Sequence, residues 1–142
     1  MTERTKQIEI CVKPITNEEA INFLKDNEAM KECVFVCPCD YWQGAYYNGA
    51  LVGVGGWTQK AQYAEIGGVL VQKEFRAQGI GTMINAGVIM DIGNKRVIAY
   101  ARPINSEILS KFNFSKKQTL KNGTVKMERK QINEQMGIRR RI

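Results

Sequence analysis

Between residues 69 and 82 the chain runs Val69-Leu70-Val71, then Gln72-Lys73-Glu74-Phe75-Arg76-Ala77-Gln78, then Gly79-Ile80-Gly81-Thr82. A valine-rich apolar run, a polar loop with an arginine, and Gly-x-Gly at the mouth of a helical pattern make one strand–loop–helix unit. The physical logic of such a unit is anion binding. The first turn of a helix leaves backbone N–H groups unpaired, and the macrodipole adds about half a positive charge there. Gly79 and Gly81 carry no side chains, so a pyrophosphate can approach the backbone closely, and Arg76 adds charge-assisted hydrogen bonds. Two familiar phosphate loops do not fit. A P-loop ends in Gly-Lys-Ser/Thr, whereas Gly81-Thr82-Met83 has no lysine; a dinucleotide fingerprint needs a third glycine where Ile84 stands. Taken alone, Gly-x-Gly also suits a tight strand-to-helix turn with no ligand.

The flanking sequence predicts a mixed α/β domain with an antiparallel first half. Residues 8–13 alternate and are β-branched, giving an opening strand. Thr16-Asn17-Glu18-Glu19 starts a helix with acids in its first turn, and a second short helix is expected over about 28–36, before Cys37-Pro38-Cys39. Asn48-Gly49 between Ala45-Tyr46-Tyr47 and the run from Ala50 to Trp57 is a hairpin signal. Tyr63–Val71 is a further strand, and residues from Gly79 to Met90 form a helix that Gly87 weakens. Lys95–Ala101 is a strand and Asn105–Phe112 a short helix; Phe114–Leu120 and Thr124–Lys130 close the domain around Asn122-Gly123.

The chain has 142 residues, suiting one domain over residues 1–130 and a basic tail over 131–142. It has no apolar run of membrane-spanning length, and its charged start lacks a secretory signal, so a soluble, cytoplasmic protein with no membrane partner is expected. The four cysteines, Cys11, Cys33, Cys37 and Cys39, are then expected reduced. With no histidine in the chain a zinc site would need all four thiolates, and free thiols with no metal are the favoured reading. The net charge of +7 is concentrated late, ending in Arg139-Arg140-Arg141. It suits an anionic cofactor, an acidic partner or nucleic acid; a solvated basic face accounts for it more simply.

The spacing Val71-x4-Arg76-x2-Gly79-x-Gly81 resembles the acetyl-CoA signature of the GNAT superfamily, Arg/Gln-x-x-Gly-x-Gly/Ala. Asn105 followed by Phe112-Asn113-Phe114 is similar to the family's Asn…Leu-Gly-Phe segment, and the likeness covers roughly residues 8–130. The resemblance implies the acyl-CoA N-acyltransferase fold, of α+β class: a mixed, mostly antiparallel sheet flanked by about four helices. It also implies acetyl-CoA as donor, with Val69, Leu70 and Val71 offering main-chain groups to the pantetheine arm. Ala77, Gln78, Gly79, Ile80, Gly81 and Thr82 would offer amides to the pyrophosphate, with Arg76 beside the loop and Asn105 touching the cofactor. A primary amine would attack the thioester directly, in a ternary complex, while a base removes its proton.

Glu65 is the first candidate base, because alternation places it on one face with Gly67, Val69 and Val71; Tyr100 is the second. An exposed strand glutamate and a packed aromatic are the plain alternatives. The family's tyrosine acid is replaced by Leu109, so the thiolate leaves unassisted or Ser110 serves. The acceptor pocket is expected beside residues 28–43, shaped by Tyr41, Trp42 and Tyr46. Two further readings keep the fold: a CoA-binding or interaction protein with little turnover, and a nucleic-acid-directed acyltransferase. Homodimers are common in the resembled family.

Overall fold

The structure, a computed structural model, describes residues 7–27 and 39–132. The expected helix over 28–36, Cys33, Cys37 and the tail from 133 onward lie outside the described residues. Within them the order is β1 (Ile10–Ile15), α1 (Asn17–Asp26), β2 (Tyr41–Tyr47), β3 (Ala50–Gln59), β4 (Ala64–Val71), a short 3₁₀ turn (Lys73–Phe75), α2 (Ile80–Ile92), β5 (Val97–Ala101), α3 (Pro103–Ser110), β6 (Ser115–Thr119) and β7 (Val125–Arg129). The strands form one seven-stranded sheet in the order β1-β2-β3-β4-β5-β7-β6. Every neighbouring pair is antiparallel except β4 and β5. Three helices are described where the sequence suggested about four.

Local chemistry explains the elements. Thr16 caps α1 in a reciprocal box with Glu19: Glu19 N–H donates to Thr16 Oγ1 at 3.1 Å and Thr16 N–H to Glu19 Oε1 at 3.0 Å. The Thr16 N–H bond, with a second from the Thr16 hydroxyl to the same oxygen at 3.0 Å, holds the Glu19 carboxyl below its usual pKa. Asn48 and Gly49, at φ +48° and +90°, make the β2–β3 hairpin turn. β6 is exposed along its whole length; Lys116 and Lys117 on this edge strand discourage pairing with another chain.

Two apolar layers sandwich the sheet. On one face α2 and α3 bury Ile80, Ile84, Val88, Ile92 and Leu109 against Val52, Trp57, Ile66, Val97 and Ala99. On the other, α1 packs Ala20, Phe23 and Leu24 against Trp42, Val54 and Leu70. The helix α2 continues through Gly87, where a Cβ would lie 2.8 Å from Val12 Cγ1. The glycine that weakens the helical pattern in sequence is what lets the helix reach the sheet. Cys39 is buried and Cys11 exposed, and no metal-holding group gathers among the described residues.

Candidate functional site

β4 and β5 run side by side over a short stretch only. Ala64, Glu65 and Ile66 pair with Val97, Ile98 and Ala99; beyond that, β4 continues to Val71 and β5 to Ala101 without a common ladder. The cause is local. Gly56 pairs with Gly68 and Trp57 with Ile66, so Gly67 is an extra residue on β4, and Gly68 sits at φ +152°. A bulge of this kind bends its strand. A cavity of about 360 Å³ opens in the resulting split. Its walls include Val69, Leu70 and Val71 of β4, Tyr100 of β5, the loop with Arg76 and Ala77, and Asn105 and Ile108 of α3.

At the head of this cavity stands the N-terminus of α2. Its cap is Gly79 at φ +81°, and among the described residues no side chain caps the first turn. A Cβ on Gly79 would meet nothing within 4 Å, and one on Gly81 would meet Ile108 Cδ1 at 3.7 Å. The mouth is therefore open, with amides aimed outward and a positive helix end behind them. Ala77, at φ +64°, turns the loop so that it enters the helix from the cavity side. Gly79, Gly81 and Thr82 line the cavity, whereas Gln78 and Ile80 do not; the Ile80 side chain, 1% exposed, anchors the mouth in the core. Arg76 lies beside the loop as expected, and its Nε donates to the Val71 carbonyl at 2.8 Å. That bond ties the loop to the end of β4 and occupies one of the main-chain groups that the sequence reading had assigned to a ligand.

A residue absent from the sequence reading lies behind this wall. Asn85 on α2 is fully buried, and its Nδ2 donates to the Gly81 carbonyl at 2.8 Å and to Asn105 Oδ1 at 2.9 Å. The signal was present in the sequence as an amide side chain four residues after Gly81 in a mostly apolar helix. It was masked by helical periodicity, which marks where side chains point and not what they hold.

The bulge also corrects the expected face of Glu65. Ala64 and Ile66 belong to the α2-side core, and so do Val71 and its partner layer with Val69. The extra residue at Gly67 reverses the alternation, so Glu65 falls on the opposite face from Val69 and Val71. Glu65 is 5% exposed, thus not the exposed strand residue of the plain alternative. Ala99 and Ala101 face α2, which puts Tyr100 on the same face as Glu65 while it also lines the cavity. Ser110 does not reach the cavity: it is exposed and its hydroxyl donates to the Ser106 carbonyl at 3.0 Å, while Leu109 is wholly buried. Nor do Tyr41, Trp42 and Tyr46 of β2, expected to shape an acceptor pocket, line this cavity. Trp42 is core and donates to Asn17 Oδ1 at 2.8 Å, Tyr41 stacks on Trp57 at 4.5 Å, and Tyr46 lies under Lys13 at 4.7 Å.

Among the described residues no helix is long and apolar enough to cross a membrane. Comparison with solved structures finds the same fold repeatedly. Escherichia coli ElaA superposes with TM-score 0.67 at 15% identity, covering 87% of this chain and 100% of that one. An acyl-CoA N-acyltransferase from Pseudomonas aeruginosa gives 0.64 at 16%, covering 87% and 99%. N-acetylglutamate synthase from Neisseria gonorrhoeae, complexed with coenzyme A and L-arginine, gives 0.65 at 14% and covers 87% of this chain; the chain spans only 34% of that protein. No curated protein matches the chain significantly. The model of the acetyltransferase (GNAT) family matches residues 5–102, a stretch that includes the bulged strand, the open helix mouth and the first split strand beyond it. With most of its length so matched and its fold shared with acyl-CoA N-acyltransferases, the chain belongs to the GNAT acetyltransferase family.

Proposed function

We propose that the chain moves the acetyl group of acetyl-CoA to a primary amine by direct attack in a ternary complex. The observation that carries this reading is the continuity of an open helix mouth with a cleft between two parting strands. The residues fit the donor. Amides of the loop and of Gly79 to Thr82 suit a pyrophosphate, and the cavity leads from there between Val69, Leu70 and Asn105 toward Tyr100. The donor supplies a thioester, whose carbonyl carbon is attacked by the amine nitrogen; the C–N bond forms, the C–S bond breaks, and sulfur keeps the electron pair.

The two faces of the sheet then take different tasks. The donor lies on the side of α2 and α3, while Glu65 lies on the α1 side, next to the point where the strands part. The amine approaches from that side, and Glu65 accepts its proton directly or through a water. Tyr100, on the same face and at the cavity, is the second group placed to carry a proton. Since Leu109 is core and Ser110 points away, the thiolate leaves without help from that helix; an ordinary thiol pKa of about 8.5 makes this feasible.

Two variants test the reading. Gly81→Glu puts a carboxylate into the phosphate cradle at a helical position with room for its Cβ, avoiding the strain that any side chain meets at Gly79. Calorimetry should show CoA affinity falling about 100-fold or more, as like charges brought together cost several kcal/mol, with thermal stability kept. Glu65→Gln should bind CoA normally and lose roughly 100-fold in turnover. Unchanged affinity in the first variant would refute the placement of the donor. Normal CoA binding with no thiol release across a broad amine panel would instead favour a CoA-binding protein.

A further inference from the structure

We infer that Asn85 is a positioning residue which, through Asn105, fixes an N–H donor in the cavity wall and so selects an amide carbonyl of the pantetheine arm. The inference rests on the acetyl-CoA reading above and deepens it. The orientation follows from the fixed identity of one partner. The Gly81 carbonyl can only accept, so the Asn85 atom at 2.8 Å from it is Nδ2. The same NH₂ faces Asn105 at 2.9 Å, which makes the facing atom of Asn105 its Oδ1. Asn105 Nδ2 is left on the side away from Asn85, and Asn105 lines the cavity. One buried amide thus dictates the polarity of the amide in front of it.

The arrangement has a cost that packing does not repay. Asn85 is 0% exposed beside the core residues Ile84 and Val88, and its Oδ1 has no hydrogen-bond partner among the described residues. A buried acceptor without a donor destabilises the fold, whereas an apolar side chain of similar size would not. What the amide gains is control of Asn105. Released from Asn85, the Asn105 side chain could turn over and present an acceptor to the ligand. The pantetheine carbonyl would then meet oxygen in place of N–H. The pyrophosphate, held by backbone amides, would be indifferent.

The experiment compares two probes: CoA, and 3′-phosphoadenosine 5′-diphosphate, which is CoA without its pantetheine arm. In Asn85→Leu the Kd for CoA should rise about 5- to 10-fold, the worth of one ordinary hydrogen bond. The Kd for the diphosphate should not move, and the melting temperature should hold or rise. Asn105→Ala should give the same loss, and the double variant no more than either alone; Asn85→Met serves if leucine is not accommodated. Equal weakening of both probes would show that Asn85 merely supports the helix mouth, and unchanged CoA affinity would show that it orients nothing; either overturns the inference alone. If the wild-type chain bound neither probe, the acetyl-CoA reading itself would fall.

Discussion

Ala77 holds φ +64° at the turn into the anion-binding mouth, in the region that L side chains avoid. An alanine there costs about 1–2 kcal/mol relative to a right-handed conformation. Glycine would remove that cost and restore about 0.4–1 kcal/mol of unfolded-chain entropy in return. Ala77→Gly is therefore expected to raise stability by up to about 1 kcal/mol, read from the urea midpoint at constant m-value. A fall in the midpoint would mean that the alanine methyl makes a contact worth more than its strain. Asn113 takes φ +68° where the related segment has glycine, as its amide side chain allows. Residue-level geometry of this kind was partly legible: the asparagine advertised itself by its type, whereas an alanine gives no sign of a left-handed backbone.

Elements of the sheet are legible wherever alternation or a turn dipeptide marks them, as with the opening strand, expected over 8–13 and found at Ile10–Ile15, and the Asn48-Gly49 hairpin. Alternation failed at Gly67-Gly68, because two residues without side chains cannot show which face they belong to, and a bulge there silently inverts everything before it. The misassigned face of Glu65 follows from that single extra residue. Likewise the packing of α2 was hidden in glycines on β3. A Cβ on Gly55 would lie 2.6 Å from Ile84 Cγ2 and 3.3 Å from Val88 Cγ2, and one on Gly53 would lie 2.8 Å from Ile84 Cδ1. These positions form a seat that brings the helix, and with it the anion-binding mouth, close to the strands. Gly55→Ala should overpack that seat and cost about 1–3 kcal/mol in denaturant titration. A change below about 0.5 kcal/mol, the range of neutral surface substitutions, would mean that α2 can lift away freely.

The whole molecule must keep β5 in place after it leaves β4, and the C-terminal hairpin does this. Every residue from Val97 to Ala101 pairs with β7, which enters between β5 and β6. Arg129 strengthens the junction: it is 5% exposed, and its Nη2 donates to the carbonyls of Gly93 and Lys95 at 2.5 and 2.6 Å, clasping the end of α2 and the approach to β5. Burial pushes its guanidinium pKa down. Next to it, Arg96 Nε donates to Glu128 Oε2 at 2.6 Å, and this bond holds the Glu128 carboxyl below its usual 4.5. The folded state thus binds that proton less readily than the unfolded chain does. The pair's contribution is fully present above about pH 4.5 and disappears as pH falls through the lowered pKa. Glu128→Gln should accordingly be less stable than the parent chain at neutral pH, with the gap closing in acid when both are unfolded by urea across a pH series. Raising the salt at neutral pH should narrow the gap, because the arginine partner is 41% exposed and its charge is open to screening. A gap that persisted undiminished at pH 3 would locate the loss in packing, and the clasp on β5 would then rest on Arg129 and the strand ladder alone.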